Sequence, residues 1–291
     1  MNRRDFLAAS GAGLAWAGFA GPISAAGLDD AIAMHIIRIQ FAQGISPELR
    51  DREIASINRF KQIHAPEEYI VGRDLAQAGD TQYDWTQVSL FNSEAAYHDY
   101  FYAPIHLAAD REAYDSKDKP FASIGSFDTV RGDSGLPARL TKIGADRAAK
   151  FKANDTRPTS PPVPDRPEDL KWNHGRSIYR IVRLNLSSMS EDQKKARLGA
   201  MEECKKIQGV EQVYYGANVQ RSPDDHYTHA MFIALAGEDA YRNYLASPLH
   251  DEERKAGGQL ARENVSHFDV IDPNNSALAE RLRKLHADTG M

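Results

Sequence analysis

The sequence predicts an α+β fold: two ferredoxin-like β-α-β-β-α-β repeats that together form an intramolecular dimeric α/β barrel. Three observations carry that expectation. First, a shift of 144 residues lays Tyr83–His106 on Tyr227–His250 without a gap, with Tyr83/Tyr227, Glu94/Glu238, Ala96/Ala240, Tyr97/Tyr241, Tyr100/Tyr244, Pro104/Pro248 and His106/His250 identical. Self-similarity of this kind marks a duplication. Second, each copy alternates short apolar strand patterns with helix-period segments in the same order. Third, an antiparallel sheet with both helices on one face leaves its other face in need of cover, which a second copy on the same chain supplies.

Each copy opens on an apolar strand, about 33–41 and 178–186, where His35-Ile-Ile-Arg-Ile-Gln-Phe41 matches Arg180-Ile-Val-Arg-Leu-Asn-Leu186 after a one-residue adjustment. A helix follows. Ser46 with Pro47 reads as an N-cap with proline at the first helical position, and Ser190 with Gln193 has capping-box spacing. The buried stripe runs in three-residue steps, Ile54, Ile57, Phe60 and Ile63 in one copy and Leu198, Met201, Cys204 and Ile207 in the other. Second strands are expected over 67–74 and 211–218, third strands over 83–91 and 227–235, then a tyrosine-bearing helix and a last strand near 121–130 or 265–271. The repeats therefore span 31–131 and 173–275. Between them, 132–172 reads as a proline-rich linker in extended conformation, and 276–291 as an amphipathic tail through Leu278, Leu282 and Leu285.

Asn2-Arg3-Arg4-Asp5-Phe6-Leu7 runs into an Ala/Gly-rich stretch and then Ser24-Ala25-Ala26, the pattern of a twin-arginine signal peptide over 1–26. The expected partner is the twin-arginine export machinery and the expected location the periplasm, with no integral membrane segment in the mature form, because the apolar stretch is too short and glycine-rich to span a bilayer. A net charge of -5 and a pI near 6.1 disfavour nucleic acid and favour a small-molecule ligand or substrate. The single cysteine, Cys204, excludes an intramolecular disulfide and reads as a small core residue.

Two segments, Asp225-His-Tyr-Thr-His-Ala-Met-Phe-Ile233 and Ala240-Tyr-Arg-Asn-Tyr-Leu-Ala-Ser-Pro-Leu-His250, resemble the stress-responsive A/B-barrel (Dabb) pattern of a strand followed by a helix ending in Pro-x-His. The first copy repeats it in Tyr83–Phe91 and Tyr97–His106. The family also resembles plant polyketide cyclases, in which a tyrosine and a histidine six positions later face a pocket between helix and sheet. That resemblance implies His250 with Tyr244, and His106 with Tyr100, as catalytic pairs: a general-base imidazole and a phenol that polarises a carbonyl. It adds His229 on the third strand to the catalytic set, and His35, Trp85, Tyr97 and Tyr241 as ligand-binding residues. In the alternative reading the tyrosines fill the core and the histidines pin the turn after proline. The copies differ, His35 and Trp85 standing in one where Arg180 and His229 stand in the other, which favours the second copy as the working one.

The implied function is an exported lyase or cyclase acting on an aromatic or polyketide-like carbonyl compound by His/Tyr acid-base catalysis, with no cofactor and no metal. The acidic clusters Asp224-Asp225-His226 and Asp251-Glu252-Glu253 read as solvated faces. No Cys-x-x-Cys-His haem motif is present. A non-catalytic stress-responsive ligand-binding barrel is the alternative, and the sequence leaves open whether the barrel pairs again as a homodimer.

Overall fold

Along the first strand, β1 (Ala33–Phe41), successive residues point into two different apolar environments. Met34 and Ile36 join a cluster with Tyr179, Phe232 and Phe268 from the other repeat, whereas Ala33, Ile39 and Phe41 pack beneath helices of their own repeat. Period-two alternation with both faces apolar is what a barrel wall covered by helices requires. The computed structural model describes residues 31–76, 82–115, 119–153, 178–220 and 226–289.

The remaining strands are β2 (Glu68–Ala76), β3 (Trp85–Phe91), β4 (Phe121–Val130), β5 (Ile178–Leu184), β6 (Val210–Gln220), β7 (His229–Leu235) and β8 (Val265–Ile271). They close into one antiparallel barrel in the order β1-β3-β2-β8-β5-β7-β6-β4. Each repeat therefore contributes four adjacent strands in ferredoxin-like order, and two seams, β2 with β8 and β4 with β6, join the repeats. Closure leaves no strand edge unpaired.

The seams explain a glycine in each repeat. A Cβ on Gly72 would lie 2.4 Å from the carbonyl oxygen of Ile271, and one on Gly216 would lie 2.3 Å from that of Val130. Only a residue without a side chain lets the two backbones approach this closely.

Near one end of the lumen Arg38 donates to Asp74 through Nε at 2.7 Å and Nη2 at 2.9 Å and lies 3.7 Å over the Phe268 ring. Its counterpart Arg183 lies 5.0 Å from the centre of Phe127 and 4.4 Å from that of Tyr227. The arginines thus reproduce the pseudo-twofold of the repeats.

Helix α1 (Pro47–Asn58) is capped by Ser46, whose hydroxyl accepts from the Leu49 N–H. It tightens into a 3-10 turn over Arg59–Gln62, which accounts for the three-residue steps of the apolar stripe. The matching helix of the second repeat ends in its own 3-10 turn, Cys204–Lys206. The tyrosine-bearing segment is two helices, α2 (Glu94–Tyr102) and α3 (Pro104–Asp115). Pro-x-His therefore begins a helix rather than ending one, because proline at the first helical position has no N–H to lose. The linker reading of 132–172 is corrected as well: Leu136–Ala153 is an 18-residue helix, α4, whose Leu136 and Leu140 are buried against Val130 and Phe101. The proline tract lies outside the described residues, as does the export segment.

The second repeat continues with α5 (Glu191–Glu203), where Ser190 and Gln193 form both arms of the capping box, then α6 (Glu238–Ala246), α7 (Pro248–Lys255) and α8 (Ser276–Thr289). Among the described residues no helix is long and apolar enough to cross a membrane.

Candidate active site

The outer, helix-facing side of each half-barrel carries a bonded cross-strand pair of a nitrogen base and a carboxylate. His35 on β1 stands opposite Asp128 on β4, with Nδ1 2.6 Å from the carboxylate, and Tyr97 donates to the other carboxylate oxygen at 2.6 Å. In the second repeat Arg180 on β5 stands opposite Asp269 on β8, 3.3 Å away, and Tyr241 donates to Asp269 at 2.7 Å. Arg180 also donates to the Tyr241 oxygen at 2.5 Å, and His286 from α8 closes the group, with Nε2 2.8 Å from Tyr241. The carboxyl of Asp269 stays below the usual range despite burial, held there by Arg180 and His286. These networks fix helices to the sheet and occupy His35, Tyr97 and Tyr241 in structural bonds, with Arg180 Nε left without a hydrogen bond among the described residues.

Beside this group the second repeat holds a cavity of about 480 Å³. Its floor is the strand surface of Arg180, Val182, Val265 and His267; its walls are Arg197 from α5, Tyr244 from the end of α6, and His250 and Glu253 from α7. The mouth is formed by Arg254, Lys255 and the segment carrying Gln259, Leu260 and Arg262. That segment exists because α7 stops at Lys255, whereas α3 runs on to Asp115. Gly257, at φ +72°, turns the chain so tightly against α5 that a Cβ there would meet the Gln193 carbonyl oxygen at 2.4 Å.

Tyr244 and His250 are both buried, with ring centres 4.3 Å apart. Among the described residues no group meets hydrogen-bond geometry with the Tyr244 hydroxyl or His250 Nδ1, although the Leu245 backbone lies close enough to the imidazole to favour its protonated form. Burial keeps the Tyr244 hydroxyl protonated, its pKa well above the ordinary value. Burial, reinforced by the positive charges of Arg180 and Arg254, lowers the imidazole of His250 to about 4. His267 is lowered to about 3 by burial and then by Arg180. Both imidazoles are neutral at pH 7, able to accept a proton and placed in a field that favours negative charge. Glu253 is pushed upward by burial, and Arg197 Nε stands 3.0 Å from it.

The first repeat carries the same pair in a different state. Gln87 donates to the Tyr100 hydroxyl at 2.5 Å, and His106 Nδ1 lies 3.1 Å from the Tyr100 carbonyl oxygen. The Phe60 ring meets His106 edge-on at 4.9 Å. In the second repeat Met231 stands where Gln87 does and Cys204 where Phe60 does, so both supports are missing. Tyr100 and His106 are thus embedded in the core, while Tyr244 and His250 line the cavity.

Of the other predicted residues, Trp85 packs with Ile39, Phe41 and Ile57, and His229 sits at the start of β7 with Nδ1 3.0 Å from the Thr228 hydroxyl. Neither lines the cavity described. The sequence reading missed His267 and Arg197, noted Arg180 only as a departure from His35, and took Glu253 for part of a solvated face, which is corrected: Glu253 is buried beside Arg197. One signal was available: Phe127-Asp128 and Phe268-Asp269 recur in the last strands, but at a shift of 141 rather than 144, so the repeat had to be realigned to expose them.

Fold and site together define an α+β barrel protein with a small-molecule cavity in its second half. Residues 178–272 match the family Dabb, the Stress responsive A/B Barrel Domain, and every cavity-lining residue falls within that match. No curated protein matches the chain. Among solved structures, a candidate monooxygenase from Lactobacillus acidophilus is similar over 83% of this chain and 93% of its own, at 10% identity and TM-score 0.47. A mutant chlorite dismutase from Candidatus Nitrospira defluvii covers 86% and 94%, at 7% identity and TM-score 0.43. The hydroxynitrile lyase of Passiflora edulis covers 36% of this chain and 97% of its own, at 21% identity and TM-score 0.30. At these levels the likeness says nothing about chemistry.

Proposed function

We propose that this protein is a small-molecule enzyme that works by acid-base chemistry in the second repeat, a lyase or cyclase acting on a carbonyl compound of aromatic or polyketide-like type without a redox cofactor. The observation that supports it is the pair of polar atoms that meet no hydrogen-bond geometry among the described residues, Tyr244 Oη and His250 Nδ1, on two buried residues that line one cavity. Buried polar groups are ordinarily satisfied, and a pair left open beside a cavity is suited to a bound reactant.

In this reading His250 accepts a proton from the carbon next to the substrate carbonyl. The C–H bond breaks, its electron pair forms an enolate, and the Tyr244 hydroxyl donates a hydrogen bond to the enolate oxygen. In a cyclisation the enolate carbon attacks a second carbonyl of the same molecule, and the resulting alkoxide takes the proton back from His250. Arg180 and Arg254 favour the anionic intermediate, and no oxidant or reductant enters the balance. A preparation that binds carbonyl compounds in this cavity but converts none would favour the ligand-binding alternative instead.

We also propose that residues 1–26 direct export by the twin-arginine route to the periplasm. The test is fractionation: replacement of Arg3 and Arg4 by lysine is expected to keep the protein in the cytoplasm, and unchanged periplasmic recovery would contradict export by this route.

A further inference from the structure

We propose that the substrate of this cavity is a small organic acid, its carboxylate held at the mouth by Arg254 and Arg262 while its carbonyl end reaches Tyr244 and His250; this rests on the catalytic reading of the same pocket.

Charge at the cavity does not cancel. Inside, Arg180 is matched by Asp269 at 3.3 Å and Arg197 by Glu253 at 3.0 Å. At the mouth Arg254, Lys255 and Arg262 outnumber the acids, Asp251 and the Glu253 that Arg254 also influences, and among the described residues none of the three forms an ion pair. The first repeat lacks this excess, since Asp110 occupies the position of Arg254 and is bonded to Arg147. A guanidinium is charged at every working pH and presents a planar fork that fits a carboxylate with two parallel bonds. The lining has few apolar side chains, chiefly Val182, Leu260 and Val265, which suits a polar acid better than a hydrocarbon.

A carboxylate fits better than a phosphate. Phosphate sites draw on free backbone N–H groups at helix starts. Here α7 begins with Pro248, which has none, and the next three amides, Leu249, His250 and Asp251, already donate to Ser247. Only side-chain forks remain.

The bound anion has a chemical consequence. His250 is held low partly by the charges of Arg180 and Arg254. A carboxylate at the mouth offsets the latter, raising the imidazole toward the pH at which it works as a base. The acid would thus tune the base that acts on it.

The test is calorimetric binding of 2-oxo and 3-oxo carboxylic acids and of their matched primary amides to the intact mature protein, with inorganic phosphate as a further probe. The acids are expected to bind at least ~10-fold tighter than the amides, as a charge-assisted pair implies. Replacing Arg254 and Arg262 together by glutamine is expected to reduce acid affinity to that of the amide and leave the amide unchanged. The His250 ring resonances are expected to titrate at higher pH with the acid bound. Equal binding of acid and amide, with conversion still lost in His250→Gln, overturns the proposal and leaves the catalytic reading standing. Tighter binding of phosphate than of any acid also overturns it. Failure of the intact protein to bind either organic series overturns both.

Discussion

Phe60 and Cys204 occupy equivalent places in the two repeats, each closing a 3-10 turn by accepting the N–H of the isoleucine three residues on, Ile63 at 3.0 Å and Ile207 at 3.1 Å. The aromatic ring seals His106 into the core. The cysteine, buried next to Tyr244 with its thiol pushed up to about 12 by burial, leaves His250 without that contact. This exchange, with that of Gln87 for Met231, separates a structural pair from a candidate catalytic one.

Cys204→Phe is expected to fill space against His250 and lower ligand affinity, at a stability cost of about 1–3 kcal/mol from overpacking. Calorimetric titration combined with urea unfolding separates the two effects. Full affinity in a folded variant would show that the ring difference is not what opens the site.

Gly72→Ala and Gly216→Ala are each expected to destabilise the barrel by roughly 2 kcal/mol or more, because a methyl group at either seam overlaps a carbonyl oxygen. Urea unfolding monitored by tryptophan fluorescence measures this. A loss below about 0.5 kcal/mol, the ordinary range for surface positions, would contradict the close approach.

Asp269→Asn removes the carboxylate opposite Arg180 and leaves a buried guanidinium uncompensated, an expected loss of about 3–5 kcal/mol. Replacing Arg180 by methionine in the same protein is expected to recover much of it, since an apolar side chain needs no partner. Absence of recovery would place the cost elsewhere in the Tyr241–His286 group.

The pH dependence has a defined sign. His250 ionises near 4 in the folded protein but close to 6.5 when unfolded, so between those values the unfolded chain binds the extra proton. Stability contributed by neutral His250 is full above about pH 6.5 and lost as pH falls toward 4, amounting to roughly 3 kcal/mol at most. Activity is expected to hold its neutral-pH value down to about pH 5 in the free enzyme. Unfolding curves and kcat/KM profiles, compared with His250→Gln for stability, check both. An acid limb near 6.5 would mean that the imidazole is solvated.

What was legible in the sequence was what repeats locally. Strand alternation, the Ser46 and Ser190 caps and the Tyr-x5-His spacing fall within a few residues of each other, and duplication turned them into a barrel with one consistent topology. The cavity was not legible, because it arises from differences between copies at positions far apart in sequence: Met231 for Gln87, Cys204 for Phe60, Glu253 for Ala109 and His267 for Ser126. Each is unremarked alone and acquires meaning only when the barrel brings it beside Tyr244. Helix α4 escaped for a different reason: Leu136, Leu140 and Ile143 have helical spacing, but the proline tract that follows drew the whole segment into a linker.

The central claim is that chemistry resides in the second repeat, and one comparison tests it most directly. The mature protein, His250→Gln and His106→Gln are each incubated with a mixture of phenolic and polyketide-like carbonyl compounds, including the oxo acids, and conversion is followed by mass spectrometry after circular dichroism has established that each is folded. Conversion is expected to fall by about 100-fold or more in His250→Gln, the usual effect of losing a general base, and to persist in His106→Gln. Conversion that survives in His250→Gln, or that is lost in folded His106→Gln alone, would contradict the account.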